Sequence, residues 1–142
     1  MLPPIEWRVH FSSPPERVFE LWTTDAGREL FWAERSVSQH GGFELGFIDG
    51  QSLSVEVIEA RAPERFVFRY FGGSRVVLEI LGSAQHGCDL WLREENAPAS
   101  EHLENYAGWV SVLLACKAAA DFGVDLRSHD PGRTWTDRFV DV

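Results

Sequence analysis

The sequence holds little that is reactive and little that is positively charged. Its 142 residues include two cysteines, Cys88 and Cys116, and a single methionine. Neither cysteine belongs to a CxxC pair and no histidine lies at metal spacing from them. That excludes a thiol-redox motif and a thiolate zinc site, and predicts two buried free thiols in a reducing compartment. Lys and Arg total 13 against 22 Asp and Glu, for a net charge of −9. Such a chain repels phosphate backbones and anionic lipid, and without a basic stripe it has no footprint for nucleic acid. The acidity is expected to serve solubility.

Long apolar runs are missing too. The strongest, Val110–Cys116, is seven residues long even with Ser111 counted, against the ~18 that a membrane span needs. The opening segment "MLPPIEWRVHF" has no basic region followed by an apolar stretch, so no secretory signal is expected and the chain reads as cytoplasmic. There is no GxSxG, Walker loop or dinucleotide fingerprint; "HGGF" and "FGGSR" are hairpin glycines. No cofactor is expected. His10, His40, His86, His102 and His129 are scattered without a partner at catalytic or metal-ligating spacing, so no metal is expected either.

What the sequence does have is patterned apolar surface, rich in Phe and Trp. "IEWRVHF" (5–11) alternates Trp7, Val9 and Phe11 with Glu6, Arg8 and His10, the period of a half-buried strand. "SSPPERVFELW" follows. Ser13 with Glu16 three residues on reads as a capping box, Pro14 suits the first helical position, and Val18, Phe19 and Trp22 form an apolar face. "TTDAGRELFW" reads as a second short helix capped by Thr24 or Asp25, with Leu30, Phe31 and Trp32 inward. From 35 to 95 the spacing predicts strands near 35–39, 43–48, 52–60, 65–71, 75–82 and 88–95, separated by "HGG", "DGQ", "RAPE", "FGG" and "SAQHG". Short turns of this kind imply an antiparallel meander. The alternation leaves one strongly apolar sheet face that needs a cover.

The cover is the stretch 105–120, whose single charged side chain is Lys117. A helix is expected from a Ser100 cap to about Asp121, before Gly123, ~30 Å at 1.5 Å per residue. Its apolar side chains go nearly all round, which predicts a buried helix. Residues 122–142 lack periodicity and read as a tail on the surface. No repeat or second domain is evident, so one domain over 1–142 is expected, with its core at 5–121.

Strand, two short helices, six-stranded meander and long C-terminal helix resemble the helix-grip arrangement of the START-like (SRPBCC) superfamily. Within it the chain is similar to the branch related to the activator of heat-shock protein 90 ATPase. The residues that carry this are "SSPPERVFELWTT" (12–24), "LFW" (30–32), "GGFEL" (41–45), "VEVIEARAPERFVFRY" (55–70) and "YAGWVSVL" (106–113). The resemblance implies an α+β fold in which a curved antiparallel sheet grips the C-terminal helix around a cavity. Its members include lipid and hormone carriers, polyketide cyclases and co-chaperones. The co-chaperones use a further N-terminal domain, whereas this sequence starts at the fold, so chaperone activation is not the expectation.

Three functions follow as expectations. The first is binding of an apolar or lipid-like small molecule between sheet and helix, by Trp22, Phe31, Trp32, Phe43, Leu45, Val57, Phe68, Tyr70, Leu78, Leu92, Tyr106, Trp109 and Leu113, with Glu94 as the polar contact. Period two turns Glu94 inward with Leu90 and Leu92; the favoured alternative is that the strand has ended and the carboxylate is solvated at the rim. The second is a ligand-free interaction or co-chaperone-like module. It would use an outward Trp91 near Val77 and Phe71 as a homodimer or partner contact, unless that ring lies over the stems of Arg75 and Arg93. The third is a cyclase or hydrolase-like enzyme with Glu94 as general acid. No catalytic constellation is otherwise visible.

Overall fold

A computed structural model describes residues 2–142. The first strand, β1 (Ile5–Phe11), leads into two short helices, α1 (Pro15–Thr23) and α2 (Asp25–Glu29). Six strands follow: β2 (Arg35–Gln39), β3 (Gly42–Gly46), β4 (Ser52–Arg61), β5 (Arg65–Arg69), β6 (Arg75–Ser83) and β7 (Gly87–Glu95). The long helix α3 (His102–Lys117) continues through a π-helical turn, Ala118–Phe122. All seven strands form one antiparallel sheet in the order β1-β7-β6-β5-β4-β3-β2. Sequence neighbours therefore pair from β2 to β7, and β1 closes the far edge against β7, with Arg8 opposite Trp91. The fold is the α+β helix grip expected from the sequence.

The alternation works as the period-two argument requires. Phe43, Leu45, Val55, Phe66, Phe68, Val76, Leu78, Leu90 and Leu92 are all buried on one side of the sheet, against Trp22, Trp109, Leu113 and Cys116 from the helices. A register shift between Val57 and Glu59 bends β4, the kind of bulge that curls a sheet over its cover. Gly27 makes the α1–α2 corner possible: a Cβ there would lie 2.6 Å from the Leu21 backbone. Arg28 is buried at the same corner. Its guanidinium donates to Ser36 Oγ at 2.8 Å, the Trp22 carbonyl at 3.0 Å and Asp25 at 2.8 Å, and lies over the Phe43 ring at 3.7 Å. Burial pushes the Asp25 carboxyl up, but hydrogen bonds from Ser36, Ser38 and Arg28 outweigh it and bring it to about 2.

Several local expectations give way to long-range contacts. Ser13 does not cap α1; Pro14 is the cap residue without a side-chain bond, and Pro15 opens the helix. Ser13 Oγ instead donates to Asp121 at 2.7 Å, and the Ser12 and Ser13 amides donate to the same carboxylate at 2.9 and 3.0 Å. Thr24 does cap α2, accepting from the Gly27 amide. Leu30 is 45% exposed, while Phe31 and Trp32 are buried. Neither Ser100 nor any other side chain caps α3, whose cap residue is Glu101. The helix is not buried all round. Trp109, Leu113, Ala115 and Cys116 face the core, but Leu103, Val110 and Leu114 are 80%, 37% and 51% exposed. One sheet face covers one helix face, and the apolar count along a helix does not say how much cover exists.

Trp91 is half-buried under a cation, but the cation is Arg8, 4.6 Å above the ring, rather than Arg75 or Arg93. β5 ends at Arg69, so Phe71 leaves the sheet in a 3-10 turn, Phe71–Gly73, and lies 6.1 Å from Phe47. It is therefore no neighbour of Trp91 on an outer face. Two histidines have carboxylate partners after all, brought together by folding: His10 with Asp89 at 2.7 Å, and His129 with Glu34 and Asp125 at 2.6 and 2.7 Å. Both cysteines are buried and free. Burial raises the Cys88 thiol to about 11 and raises Cys116 as well.

Burial pushes Asp121 up, but the bonds from Ser13, Ser12 and Lys117 outweigh it and hold the carboxyl at about 2 against an ordinary 3.8. A depressed carboxyl stabilises the fold fully above its unfolded value and loses that contribution as pH falls through its folded value. In urea titrations at a series of pH values, Asp121→Asn is expected to lower stability at pH 7 and to flatten the loss between about pH 4 and pH 2. An unchanged acid limb would show that the clamp contributes nothing.

Candidate functional site

Glu94 sits one residue before the end of β7 and is 1% exposed. The strand continues past it, so the carboxylate lies inward and not at a solvated rim. It accepts three hydrogen bonds: from Ser74 Oγ at 2.5 Å, Trp109 Nε1 at 2.9 Å and Asn105 Nδ2 at 3.2 Å. Among the described residues no cation pairs with it. A buried carboxylate is costly without such donors, and here they come from the β5–β6 connection and from two adjacent turns of α3. Ser74 and Asn105 are not among the site residues expected from the sequence. Asn105 was detectable as the i−4 neighbour of Trp109 on one helix face; Ser74, in a hairpin turn, gave no signal.

Beside this carboxylate lies a cavity of about 330 Å³, at the end of the grip where the β3–β4 connection, the β5–β6 connection and the first half of α3 diverge. Its wall includes Trp32, Tyr70 and Trp109, with Phe47 and Phe71 opposite. Tyr70 and Trp109 ring centroids are 4.7 Å apart, Tyr70 and Phe71 4.8 Å. Burial raises the Tyr70 hydroxyl well above its ordinary value; the Trp32 indole opposes the shift and the Glu94 charge adds to it. Among the wall residues, the Trp32 N–H is buried beside the Tyr70 hydroxyl, and Glu101 Oε2 is buried without a hydrogen-bond donor. Gly72, at φ +69, lets the Pro98–Glu101 segment close in, since a Cβ there would lie 2.3 Å from the Pro98 ring.

The tail supplies the remaining wall through Trp135, Thr136, Val140 and Val142. It is more than a surface strand. Arg127 is buried and donates to the carbonyls of Ala33 at 2.8 Å and Glu29 at 2.6 Å and to Asp125. Burial pushes Asp125 up, but bonds from Arg127 and His129 outweigh it and bring it to about 2. The bonds to Asp125 and Glu34 raise His129 in turn. On its other side the tail forms a second cleft, of about 460 Å³, against Ala107, Val110 and Leu114 of α3.

The expected site residues divide accordingly. Trp32, Tyr70 and Trp109 line the cavity, and Phe31 lines the second cleft. Trp22, Phe43, Leu45, Phe68, Leu78, Leu92 and Leu113 are packed in the core, and Val57 is half-buried against it. Glu94 lies behind Trp109. Tyr106 is 41% exposed and packs outside against Trp7, whose indole donates to the Tyr106 carbonyl at 2.9 Å. The tail residues were missed because a segment without periodicity carries no sign of where it docks. Among the described residues no group of three or more His, Cys, Asp or Glu side chains could hold a metal ion, and no helix is long and apolar enough to cross a membrane.

Glu94 anchors α3, so its removal should be costly. Glu94→Leu leaves three donors without an acceptor and is expected to cost about 3 kcal/mol or more, and Glu94→Gln less than half as much. Urea unfolding of the two variants checks this; equal and small losses would show that the carboxylate is dispensable.

Neither a family model nor a curated protein matches the sequence. The architecture does have counterparts. A Staphylococcus saprophyticus protein superposes with a TM-score of 0.76 at 19% identity, over 88% of this chain and 96% of that one. The Aha1 dimer from Colwellia psychrerythraea gives 0.74 at 17% identity, over 86% and 98%. The AHSA1-like protein from Aeromonas hydrophila gives 0.68 at 18% identity, over 81% and 90%. At these identities the likeness is one of fold. The chain has the helix-grip fold that these Aha1 and AHSA1-like structures share, the branch that its own motifs resemble.

Proposed function

We propose that the chain is a small-molecule binding protein whose ligand occupies the cavity between sheet end, α3 and tail. In this reading residues 1–142 act as one START-like unit, and the two free, buried thiols fit a cytoplasmic setting. The observation that carries it is the cavity of about 330 Å³ walled by aromatic rings, with Glu101 and Asn105 among its polar residues. Apolar walls with a few polar groups are the ordinary make-up of a ligand site. Burial would drive binding at about 25 cal/mol per Å² of apolar area before entropic losses. Glu94 enters this reading as the anchor of the floor, because its three bonds already go to protein donors; that does not favour its use as a general acid.

Native mass spectrometry of protein purified from its own host tests the reading. A reproducible extra mass that leaves on denaturation is expected. Gly108 offers a matched control: it lines the cavity, and a Cβ there meets nothing within 4 Å. Gly108→Trp should fill the space, keep the fold and lose the extra mass. Retention of the mass by this variant would place the ligand elsewhere.

A second reading rests on the uncovered side of α3. Leu103, Ala107, Val110 and Leu114 follow one another at helical spacing and are all exposed, an apolar stripe of the kind that meets another chain. The Colwellia psychrerythraea neighbour is described as a dimer. A homodimer through this stripe, rather than through Trp91, is expected to appear in light scattering and to be lost in Leu114→Glu. A monomer at all concentrations would count against it.

A further inference from the structure

We infer that the cavity selects an organic cation: a protonated amine on an apolar body. The inference rests on the binding reading above and adds the sign of the ligand's charge.

The first support is the wall itself. Trp32, Phe47, Tyr70, Phe71, Trp109 and Trp135 bring six aromatic rings to one space. The negative faces of such rings attract ammonium groups, and more strongly where water is excluded. Trp109 is polarised further. Its N–H donates to Glu94, a carboxylate with no cation beside it among the described residues, and a hydrogen bond to a charge in a low-dielectric interior pushes electron density into the donor ring.

The second support is charge. The ionisable side chains of the wall other than Tyr70 are Asp49, Glu101 and Glu104. Among the described residues no Lys, Arg or His side chain lines the cavity. A carboxylate or phosphate ligand would find no cation here and would be repelled both by these groups and by a chain of net charge −9. A cation would be drawn toward the mouth by the same field.

The third support is Glu101, a wall residue whose buried Oε2 receives no hydrogen bond. An ammonium group beside that carboxylate offsets its charge, which neither a plain hydrocarbon nor a fatty-acid carboxylate can do.

Three probes with one body separate the possibilities: naphthylethylamine, naphthylethanol and naphthylacetate, titrated calorimetrically into the full chain at low salt. The amine is expected to bind at least about tenfold more tightly than the alcohol, with the acetate weakest. Glu101→Gln should reduce amine affinity by about threefold or more and leave alcohol affinity unchanged. Gly108→Trp should abolish both. An alcohol that binds as well as the amine would overturn the cation inference and leave the binding reading intact. An amine whose affinity is indifferent to Gly108→Trp binds the acidic surface, which also overturns it. Failure of all three probes to bind would remove both readings together.

Discussion

The long helix is pinned at each end by a buried carboxylate, and the grip depends on those two pins. Near its start, Glu94 of β7 receives Asn105 and Trp109 from the helix and Ser74 from the opposite hairpin. Near its end, Asp121 receives Ser12 and Ser13 from the junction between β1 and α1, together with Lys117 from its own helix. Apolar packing decides that α3 lies on the sheet, but burial has no direction. The carboxylates fix where along the sheet it lies and how it is rotated, because hydrogen bonds to charge are short and directional.

The pins also explain why space remains at the Glu94 end of the grip. Around Asp121 the chain turns tightly and the core is closed by Trp22, Phe11 and Cys116. Around Glu94 the donors sit on a hairpin and a helix that separate beyond the carboxylate, and the aromatic rings on them meet edge to face or tilted rather than interdigitated. Large flat side chains held by a polar floor cannot collapse into the gap as aliphatic ones would. The tail completes the wall without filling the space.

Much of this fold was legible because alternation and turn chemistry are local. The strand at 35–39 matches β2, and those at 52–60, 75–82 and 88–95 fall within one residue of β4, β6 and β7. The errors share one cause, competition from distant partners. Ser13 has every local reason to cap α1, yet a carboxylate 108 residues away takes its hydroxyl. Trp91 is shielded by Arg8 because β1 pairs with β7, a pairing no turn announces. The aromatic half of the candidate site, Trp32, Tyr70 and Trp109, could be read from periodicity. Its polar half could not, since Ser74 and Glu101 matter only where folding brings them. The tail contribution was invisible for the same reason.

The tail wall has a consequence for how specificity could change. The sheet and α3 contribute most of the buried core, so substitutions there alter stability along with shape. Trp135, Val140 and Val142 contribute little to that core while forming part of the cavity surface. That segment is thus one that lines the cavity, and chambers of different outline can arise on an unchanged scaffold. By the same geometry, any residue added after Val142, natural or as a purification tag, begins its path at the mouth of the cavity.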